Sequence, residues 1–322
     1  IMGEIAISEG LGPSNCSYKR QISAAFIAVG FLFYVYAYTF INGDLDNTDY
    51  PKNNQSKHVK KYKVIFLWNN FLEHRHSAQG IGPGPFLNCE YKNCVTSINK
   101  KKFNESDAML CHMRSPGCTF DQLPKERKPH QYWIYYGGES QLNSLSGDKL
   151  KPLNGIFNLT MTFKLDSDLT ATYNGTEGIL GKVKNKDYKF YKGNKSSIAW
   201  VASNCWSSGA VQGRMAYIAQ LRKFIHVKRY GRCPGHIACG KYCFIRIARE
   251  HKFYFAAENS LCKDYITEKP WNALNVGMIP VVYGLGNYSD TLPPHSYIDV
   301  RDFKSPRLLA EYLKRVETSW FK

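Results

Sequence analysis

The stretch from Phe253 to Gly284 constrains the fold more than any other part of the chain. Lys252 to Ala257 is a run of aromatic and small residues that is typical of a buried strand. Tyr265 to Leu274 has helical spacing, and Ile279 to Tyr283 is a second apolar run, closed by a glycine. This order predicts a βαβ unit, and a βαβ unit implies a parallel sheet.

Polar side chains follow the first strand of this unit, where the chain leads into the helix. In a parallel sheet, ligands bind beyond the carboxyl ends of the strands, where helix N-termini carry partial positive charge. One amide, one phenol, two carboxylates and one ammonium suit a ligand with hydroxyls and phosphates, such as a nucleotide sugar. The alternative is a capped helix start with a surface Glu-Lys pair. The side chains concerned are Glu258, Asn259, Tyr265, Glu268 and Lys269.

The same stretch resembles a known enzyme family. The segments ENS, DYITEK, NAL and IPVVYG, in this order between Glu258 and Gly284, are similar to the donor-binding signature of the α1,3/α1,4-fucosyltransferases, glycosyltransferase family 10. The resemblance implies that Asn259, Tyr265 and Glu268 hold ribose or fucose hydroxyls of GDP-fucose. It also implies that Lys269 stabilises the charge on the diphosphate.

A second cation is predicted upstream of this unit. Ile198 to Ala202 has the composition of a strand, and Ser203 to Gly213 that of a polar loop. Arg214 to Phe224 has the pattern of an amphipathic helix, so Arg214 is expected at a helix N-terminus. A guanidinium there can bind a diphosphate bidentately, although an arginine in a first helical turn is often only solvated. In the resembled family, an arginine at the matching place contacts the donor phosphates.

A candidate general base lies in the first half of the chain. Gln131 to Tyr136 is an aromatic strand followed by Gly137, Gly138, Glu139 and Ser140. The two glycines let the backbone approach closely and place one carboxylate at a strand end, which suits a general base. A solvated glutamate in a turn is the alternative. The resembled family carries Glu-Ser after an aromatic strand, with the glutamate as catalytic base, and Glu139 matches it.

An acidic triplet, Asp166-Ser167-Asp168, has the form of the DxD motif that holds a divalent metal under a nucleotide diphosphate in other glycosyltransferases. Such triplets arise often by chance. The triplet lies in a stretch, Phe157 to Asp168, that resembles the first domain of the family, where it is not a metal site. We therefore predict no metal site and no cofactor beyond GDP-fucose as donor substrate.

A membrane anchor is predicted near the start of the chain. Ile22 to Ile41 is an apolar run without a charge and is long enough to cross a bilayer. It lacks the short core and small-residue cleavage site of a cleaved signal peptide, so an uncleaved signal anchor is expected. Lys19 and Arg20 precede it and aspartates follow it, which leaves the N-terminus cytosolic and the remainder lumenal. A buried core helix is the alternative.

Sequons and cysteines agree with a secretory lumen. Six Asn-x-Ser/Thr sequons and nine of the ten cysteines follow the predicted anchor. An oxidising lumen favours disulfides, and zinc binding by cysteine clusters is the alternative, although neither cluster contains paired C-x2-C knuckles. The sequons are at Asn54, Asn104, Asn158, Asn174, Asn194 and Asn287, and the two candidate zinc clusters are Cys111, His112 and Cys118, and Cys233, Cys239 and Cys243.

The net charge of +17 in 322 residues fits several anionic partners, namely nucleic acid, an anionic membrane or a phosphorylated substrate. The lysines are dispersed, and no nucleic-acid-binding motif is present, so nucleic acid is excluded as a predicted partner. A content of 43% hydrophobic and 14% aromatic residues is that of a globular protein.

The predicted fold class is α/β of the GT-B type, with two Rossmann-like domains facing a cleft, preceded by a single transmembrane signal anchor and a stem. The predicted boundaries are a cytosolic tail at 1–21, the anchor at 22–41, the stem at 42–62, an acceptor-binding domain at 63–170, a linker at 171–197 and a GDP-fucose-binding domain at 198–322.

The activity implied by the resemblance is inverting transfer of fucose from GDP-fucose to a GlcNAc hydroxyl of glycoprotein or glycolipid glycans, with an α1,3 linkage. The expected location is the Golgi membrane, with single-pass type II topology. A catalytically inactive relative that binds glycan or partner proteins remains the alternative. One reason is that Pro270-Trp271 leads straight to Asn272, whereas family members usually have one more residue before Asn-Ala.

Overall fold

The computed structural model describes residues 62–69, 80–113, 117–144, 147–173, 197–206, 209–240 and 242–319. The predicted tail, the anchor at 22–41, the stem up to residue 61 and the linker residues 174–196 lie outside these ranges. Within the ranges, no helix combines the length and the apolar character needed to cross a membrane. The chain divides into two compact units at the boundary between Ala171 and Thr172.

The first unit is built on a six-stranded sheet. Its strands are β1 (Lys63–Leu67), β2 (Cys94–Ser97), β3 (Ala108–His112), β4 (Tyr132–Gly137), β5 (Leu159–Thr162) and β6 (Leu169–Thr170). They lie in the order β2-β1-β3-β4-β5-β6, and every neighbouring pair is parallel. A short helix, α1 (Gly147–Leu150), follows β4.

Both faces of this first sheet are covered, as a parallel sheet requires. Alternate residues along each strand point to opposite faces, so two apolar clusters form. One contains Ile65, Leu67, Leu110, Ile134 and Met161. The other contains Phe66, Met109, Cys111, Trp133 and Leu153.

The second unit is built on a five-stranded sheet in which all pairs are again parallel. Its strands are β7 (Ser197–Ala202), β8 (His226–Gly231), β9 (Phe253–Ala257), β10 (Ile279–Tyr283) and β11 (Ile298–Asp299). Its helices are α2 (Gly209–Leu221), α3 (Cys243–Ala248), α4 (Glu268–Leu274), α5 (Tyr288–Thr291) and α6 (Pro306–Ser319). The strand order is β11-β10-β9-β7-β8.

Both sheets share a doubly wound arrangement. In each, the first strand lies inside, the second strand pairs on one side of it and the third on the other. The order therefore reverses between β1 and β3 in the first unit, and between β7 and β9 in the second. Ligands of such sheets bind beyond the carboxyl ends of the strands at this switch point. The predicted α/β class with parallel sheets is confirmed.

The predicted order of strand, helix and strand in the second unit is confirmed, although its helix begins later than predicted. The βαβ unit consists of β9, α4 and β10. At the end of the chain, α6 begins at Pro306, and the Ser305 hydroxyl accepts a hydrogen bond of 3.3 Å from the N–H of Leu308. Ser305 is thus the N-cap of this helix, and Pro306 is its first residue. Leu309 and Leu313 of α6 are buried, whereas Leu308 is exposed.

The predicted start of α2 is wrong. The helix begins at Gly209, so Arg214 is its sixth residue and does not lie in the first turn. Glycine and serine have low helix propensity, which suggested a loop from Ser203 to Gly213. The burial of Ala210 and Val211 outweighs that propensity, because tertiary packing supplies most of the stability of a helix in a protein.

The predicted start of α4 is also wrong, because the helix begins at Glu268 and not at Tyr265. Asp264 has a φ of 63°, in the left-handed region, which interrupts any right-handed helix at that point. Thr267 is extended and directly precedes the helix. Pro270 lies in the first turn, where a missing N–H leaves no intrahelical hydrogen bond unmade.

Disulfides confirm the predicted role of the cysteines, with bonds at Cys111–Cys118, Cys205–Cys233 and Cys239–Cys243. Because a disulfide sulfur offers no thiolate, these bonds remove the cysteine ligands of both candidate zinc clusters. Among the residues that the structure covers, no group of three or more His, Cys, Asp or Glu side chains is placed to hold a metal ion.

Three of the six sequons can be located. Asn104 and Asn287 are exposed. Asn158 is structural, because its side-chain oxygen accepts hydrogen bonds from the N–H of Trp133, at 2.8 Å, and from Arg127. These contacts tie Asn158 to β4. Asn54, Asn174 and Asn194 lie outside the described residues.

Candidate functional site

Arg214 joins the carboxyl ends of the two strands at the switch point of the second unit. Its guanidinium donates to the carbonyl of Ala257, the last residue of β9, at 3.1 Å, and to the carbonyl of Asn204, just after β7, at 2.6 Å. The side chain reaches this place from the second turn of α2. A fixed cation therefore lies where doubly wound sheets bind their ligands.

The charge of Arg214 is buried, since only 3% of the residue is exposed. Burial lowers its pKa, and the nearby carboxylate of Glu258 acts in the opposite direction. An arginine with a lowered pKa still remains protonated in a protein. Within the described parts of the chain, Nε of Arg214 has no hydrogen-bond partner. A buried donor without a partner is costly in free energy.

Glu258 follows β9 directly and is 1% exposed. One carboxylate oxygen accepts a hydrogen bond from the N–H of Thr267 at 2.9 Å. The other accepts from the hydroxyl of Thr267 at 2.7 Å and from the ammonium of Lys269 at 2.6 Å. Glu258 thus stabilises the start of α4. The main-chain N–H of Thr267 is engaged by the Glu258 carboxylate.

Lys269 lies on the first turn of α4 with 15% of its side chain exposed. Its ammonium donates to Glu258 and to the hydroxyl of Thr267, and it lies 3.6 Å from the carboxylate of Glu268. Burial lowers the pKa of Lys269, but the charges of Glu258 and Glu268 and the hydrogen bond to Glu258 outweigh burial, so the pKa lies above its ordinary value. Lys269 is therefore a cation that Glu258 and Thr267 hold in place.

The three other predicted donor residues lie beside this cluster in the same unit. The Tyr265 hydroxyl donates to the side-chain oxygen of Asn259 at 3.0 Å, and Tyr265 is buried while Asn259 is half-buried. Glu268 is exposed at the start of α4. The burial of Tyr265 indicates that its ring packs in the protein and that its hydroxyl orients Asn259.

The residue directly after β10, Gly284, packs against this cluster so closely that there is no room for a side chain. A Cβ atom on Gly284 would lie 2.5 Å from the hydroxyl oxygen of Tyr288 and 3.3 Å from Cγ of Glu258. Glu258 itself continues the pairing of β9 with β10, since its N–H donates to the carbonyl of Tyr283 at 2.9 Å. The glycine that closes the apolar run Ile279–Tyr283 is therefore part of the packing around Glu258.

In the first unit, Glu139 lies two residues beyond β4 and is half-buried. Gly137 permits the close packing that was expected there, because a Cβ atom at this position would overlap the side chain of Met113 at 1.7 Å. The following residue, Ser140, is buried and accepts a hydrogen bond from the Asn143 amide at 3.1 Å. These contacts hold the backbone on both sides of the glutamate.

Asn69 and His112 mark the switch point of the first unit, between β1 and β3. The Asn69 amide donates to the carbonyl of His112 at 2.7 Å, and the N–H of His112 donates back at 3.0 Å. The imidazole packs edge-on against Tyr136 of β4, with ring centroids 5.1 Å apart. The carboxyl ends of three adjacent strands therefore carry Asn69, His112 and Glu139 in turn.

The acidic triplet is engaged in local structure. One oxygen of Asp168 accepts from both the N–H and the hydroxyl of Thr160, each at 2.8 Å. Asp166 lies 3.2 Å from the ammonium of Lys164. These contacts join β5 to the turn that precedes β6.

Sequence reasoning missed Asn69, Asn204 and Thr267. Each contributes through a contact with a residue far along the chain or through its main chain, which no local motif reveals. Their position along the chain could have indicated Asn69 and Asn204, because each comes within two residues of the end of a buried strand. Parallel strands collect such residues at one edge of the sheet.

Two family models match the chain, one in each unit. Residues 60–174 match the model described as "Fucosyltransferase, N-terminal". Residues 191–320 match the model described as "Glycosyltransferase family 10 (fucosyltransferase) C-term". Glu139 falls in the first range, and the Arg214, Glu258 and Lys269 cluster falls in the second.

Curated relatives carry fucosyltransferase names. The chain is 36% identical over 233 residues to 3-galactosyl-N-acetylglucosaminide 4-alpha-L-fucosyltransferase of Bos taurus, covering 71% of this chain and 61% of that protein. It is 29% identical over 303 residues to Alpha-(1,3)-fucosyltransferase C of Drosophila melanogaster, covering 83% and 69%. The chain thus spans less than two thirds of the length of the cattle relative.

Solved structures support the fold. The crystal structure of an alpha1,3-fucosyltransferase with GDP aligns with a TM-score of 0.53 and 18% identity, over 83% of this chain and 82% of that chain. The crystal structure of an alpha1,3-fucosyltransferase with GDP-fucose aligns with a TM-score of 0.51 and 17% identity, covering 83% and 81%.

Proposed function

The chain belongs to glycosyltransferase family 10, and on that basis we propose that it transfers fucose from GDP-fucose to a GlcNAc hydroxyl of a glycan. The observation that carries this proposal is the pair of cations at the carboxyl edge of the second sheet, Arg214 and Lys269. Their positions suit the diphosphate of a nucleotide sugar, which gains negative charge as the sugar leaves.

The donor half of the reaction is assigned to the second unit. When the bond between the anomeric carbon and the diphosphate oxygen breaks, the leaving GDP carries the electron pair. The positive charges of Arg214 and Lys269 stabilise this charge. Asn259, oriented by Tyr265, and the exposed Glu268 are placed to bind hydroxyls of the ribose or fucose.

The acceptor half is assigned to the first unit. The carboxylate of Glu139 takes the proton of the acceptor hydroxyl as its oxygen attacks the anomeric carbon, opposite the leaving GDP, so the configuration at that carbon inverts. The position of Glu139 after β4, between the packed Gly137 and the buried Ser140, supports this role. No cofactor is assigned to either half.

For the acceptor we propose an α1,3 linkage to GlcNAc of glycoprotein or glycolipid glycans, because relatives named for α1,3 and α1,4 transfer are similar to this chain. We also propose that the catalytic region works in the Golgi lumen, held by the anchor predicted at 22–41. The disulfides named above support an oxidising compartment. Protease protection of the intact chain in microsomes tests this topology, since a lumenal region resists digestion until detergent is added.

The test of the activity is a transfer assay. Purified protein is incubated with GDP-fucose and a panel of GlcNAc-containing glycans, and products are analysed by mass spectrometry with linkage determination. We expect addition of one fucose through an α1,3 linkage. GDP binding without transfer to any acceptor would identify an inactive relative, the alternative left open by Pro270-Trp271.

A further inference from the structure

Glu258 has the environment of a residue that acts on another side chain and not on a ligand. It is 1% exposed, and both of its carboxylate oxygens are bonded to residues at the start of α4. It therefore touches neither a sugar nor an acceptor hydroxyl directly. Its partners are Thr267 and Lys269, which lie nine and eleven residues further along the chain.

We infer that Glu258 is a positioning residue that fixes the ammonium of Lys269 for the diphosphate of the donor, an inference that rests on the proposed function. The Thr267 N–H and hydroxyl set the orientation of the carboxylate. The carboxylate and the same hydroxyl then take two of the three N–H groups of Lys269. The direction of the third N–H is thereby set before any ligand binds.

Preorganisation is the physical reason for such an arrangement. A free lysine loses rotamer freedom when it binds a phosphate, whereas Lys269 has lost that freedom on folding. A held cation also needs no reorganisation when charge develops on the leaving GDP. The charges that act on Lys269 come from Glu258 after β9, Glu268 on its own helix and Arg214 from α2.

Two opposite expectations make this inference testable. If Glu258 acted only through its charge, its removal would strengthen the binding of an anionic diphosphate, since a nearby negative charge would be lost. If Glu258 positions Lys269, its removal weakens binding, because the ammonium is released from its fixed geometry. The sign of the change in GDP affinity on Glu258→Gln therefore separates the two.

The experiment is a double-mutant cycle. GDP affinity is measured by calorimetry for the wild type, Glu258→Gln, Lys269→Ala and the double variant. Lys269→Ala removes a charged hydrogen bond and is expected to weaken GDP binding about tenfold to a hundredfold. We expect Glu258→Gln alone to weaken it by about tenfold, and to have no further effect once Lys269 is absent.

The matched control is Glu250→Gln. Glu250 also forms a 2.6 Å ion pair with a lysine, Lys228, but this pair is exposed and Glu250 follows α3. We expect no change in GDP affinity from this variant. Tighter GDP binding by Glu258→Gln, or losses that add fully to those of Lys269→Ala, would overturn the inference.

A second variant covers the case in which Glu258→Gln does not fold. Thr267→Val keeps the shape of the side chain and removes the hydroxyl that contacts both Glu258 and Lys269. We expect weaker GDP binding than in the wild type, and again no further loss from Thr267→Val once Lys269 is absent. Unchanged affinity in a folded Thr267→Val protein would count against the inference.

Failure of the proposed function can be distinguished from failure of this inference. If the wild type binds no GDP, the donor assignment fails, but the positioning of Lys269 is still measurable by reductive methylation with peptide mass spectrometry. We expect faster methylation of Lys269 in Glu258→Gln, because the amine is less protonated and more mobile there. Equal rates in the two proteins would overturn the positioning role by itself.

Discussion

The guanidinium of Arg214 donates a 2.6 Å hydrogen bond to the main-chain carbonyl of Asn204, and its other terminal nitrogen donates to β9. The Arg214 side chain thereby links the carboxyl ends of β7 and β9, the two strands at the switch point. A cation in this place joins the two strand ends, and this contact depends on the planar fork of arginine.

Arg214→Lys is therefore expected to act as a severe change. An ammonium cannot span the two carbonyls, so at least one buried acceptor loses its partner, at about 1–3 kcal/mol in the free energy of unfolding. GDP affinity is expected to fall with it. Urea denaturation and calorimetry measure the two effects. The control is Arg307→Lys, an exposed residue paired with Glu311, which should change neither; equal effects of both variants would contradict the bridging role.

Gly284→Ala tests the packing around Glu258. The added methyl would lie 2.5 Å from the Tyr288 hydroxyl, which is the end of a rigid and buried ring. We expect a loss of about 1–3 kcal/mol in stability, as for overpacked cores, together with weaker GDP binding. Gly240→Ala is the control, since a methyl group added there would meet no atom of the described residues within 4 Å. A neutral Gly284→Ala would mean that Tyr288 can move away freely.

The pH dependence of stability reports on Lys269. Its pKa in the folded protein lies above the ordinary value of 10.5 because Glu258 and Glu268 together outweigh burial. A raised pKa contributes stability that is fully present below 10.5 and is lost as the pH rises through the folded-state pKa. The difference in free energy of unfolding between wild type and Lys269→Met should thus stay constant between about pH 7 and pH 9. Urea denaturation across this pH range measures the difference in free energy of unfolding. If that difference shrank as the pH was lowered from about 9 to about 7, burial would outweigh the two carboxylates in setting the pKa of Lys269.

The role of the acidic triplet can be tested by a substitution and by chelation. Because Asp168 is hydrogen-bonded to Thr160, we expect Asp168→Ala to lower the free energy of unfolding by about 0.5–1.5 kcal/mol and to leave the turnover of the folded protein unchanged. We also expect EDTA to leave the rate of fucose transfer unchanged. If EDTA abolished fucose transfer and manganese restored it, the triplet, or another site, would instead be a metal-binding site that the reaction needs.

Much of the fold was predictable because apolar periodicity records burial. The strand Ile279–Tyr283 has the predicted bounds, since its apolar run is continuous and ends at glycine. The starts of α2 and α4 were not predictable. Tertiary packing lets α2 begin at Gly209, and the left-handed backbone at Asp264 delays the start of α4, and helix propensity encodes neither effect. Local pattern indicates which segments are buried more reliably than where each one begins.

The order of residues along the chain predicted five donor-binding residues, and the structure places all five in the second unit. Their contacts were not predictable. The contacts that give them roles join distant residues, such as Arg214 with Ala257 and Glu258 with Lys269. These pairings follow from strand order, which the sequence does not display.

The most direct test of the division of work between the two units is Glu139→Gln, measured for GDP affinity and for turnover in the same preparation. The amide keeps the shape of the side chain but cannot take a proton from the acceptor at neutral pH. We expect turnover to fall about a hundredfold to ten-thousandfold while GDP affinity and melting temperature stay close to those of the wild type. Near-normal turnover in a folded Glu139→Gln protein would contradict the assignment of Glu139 as the base, and with it the proposed role of the first unit.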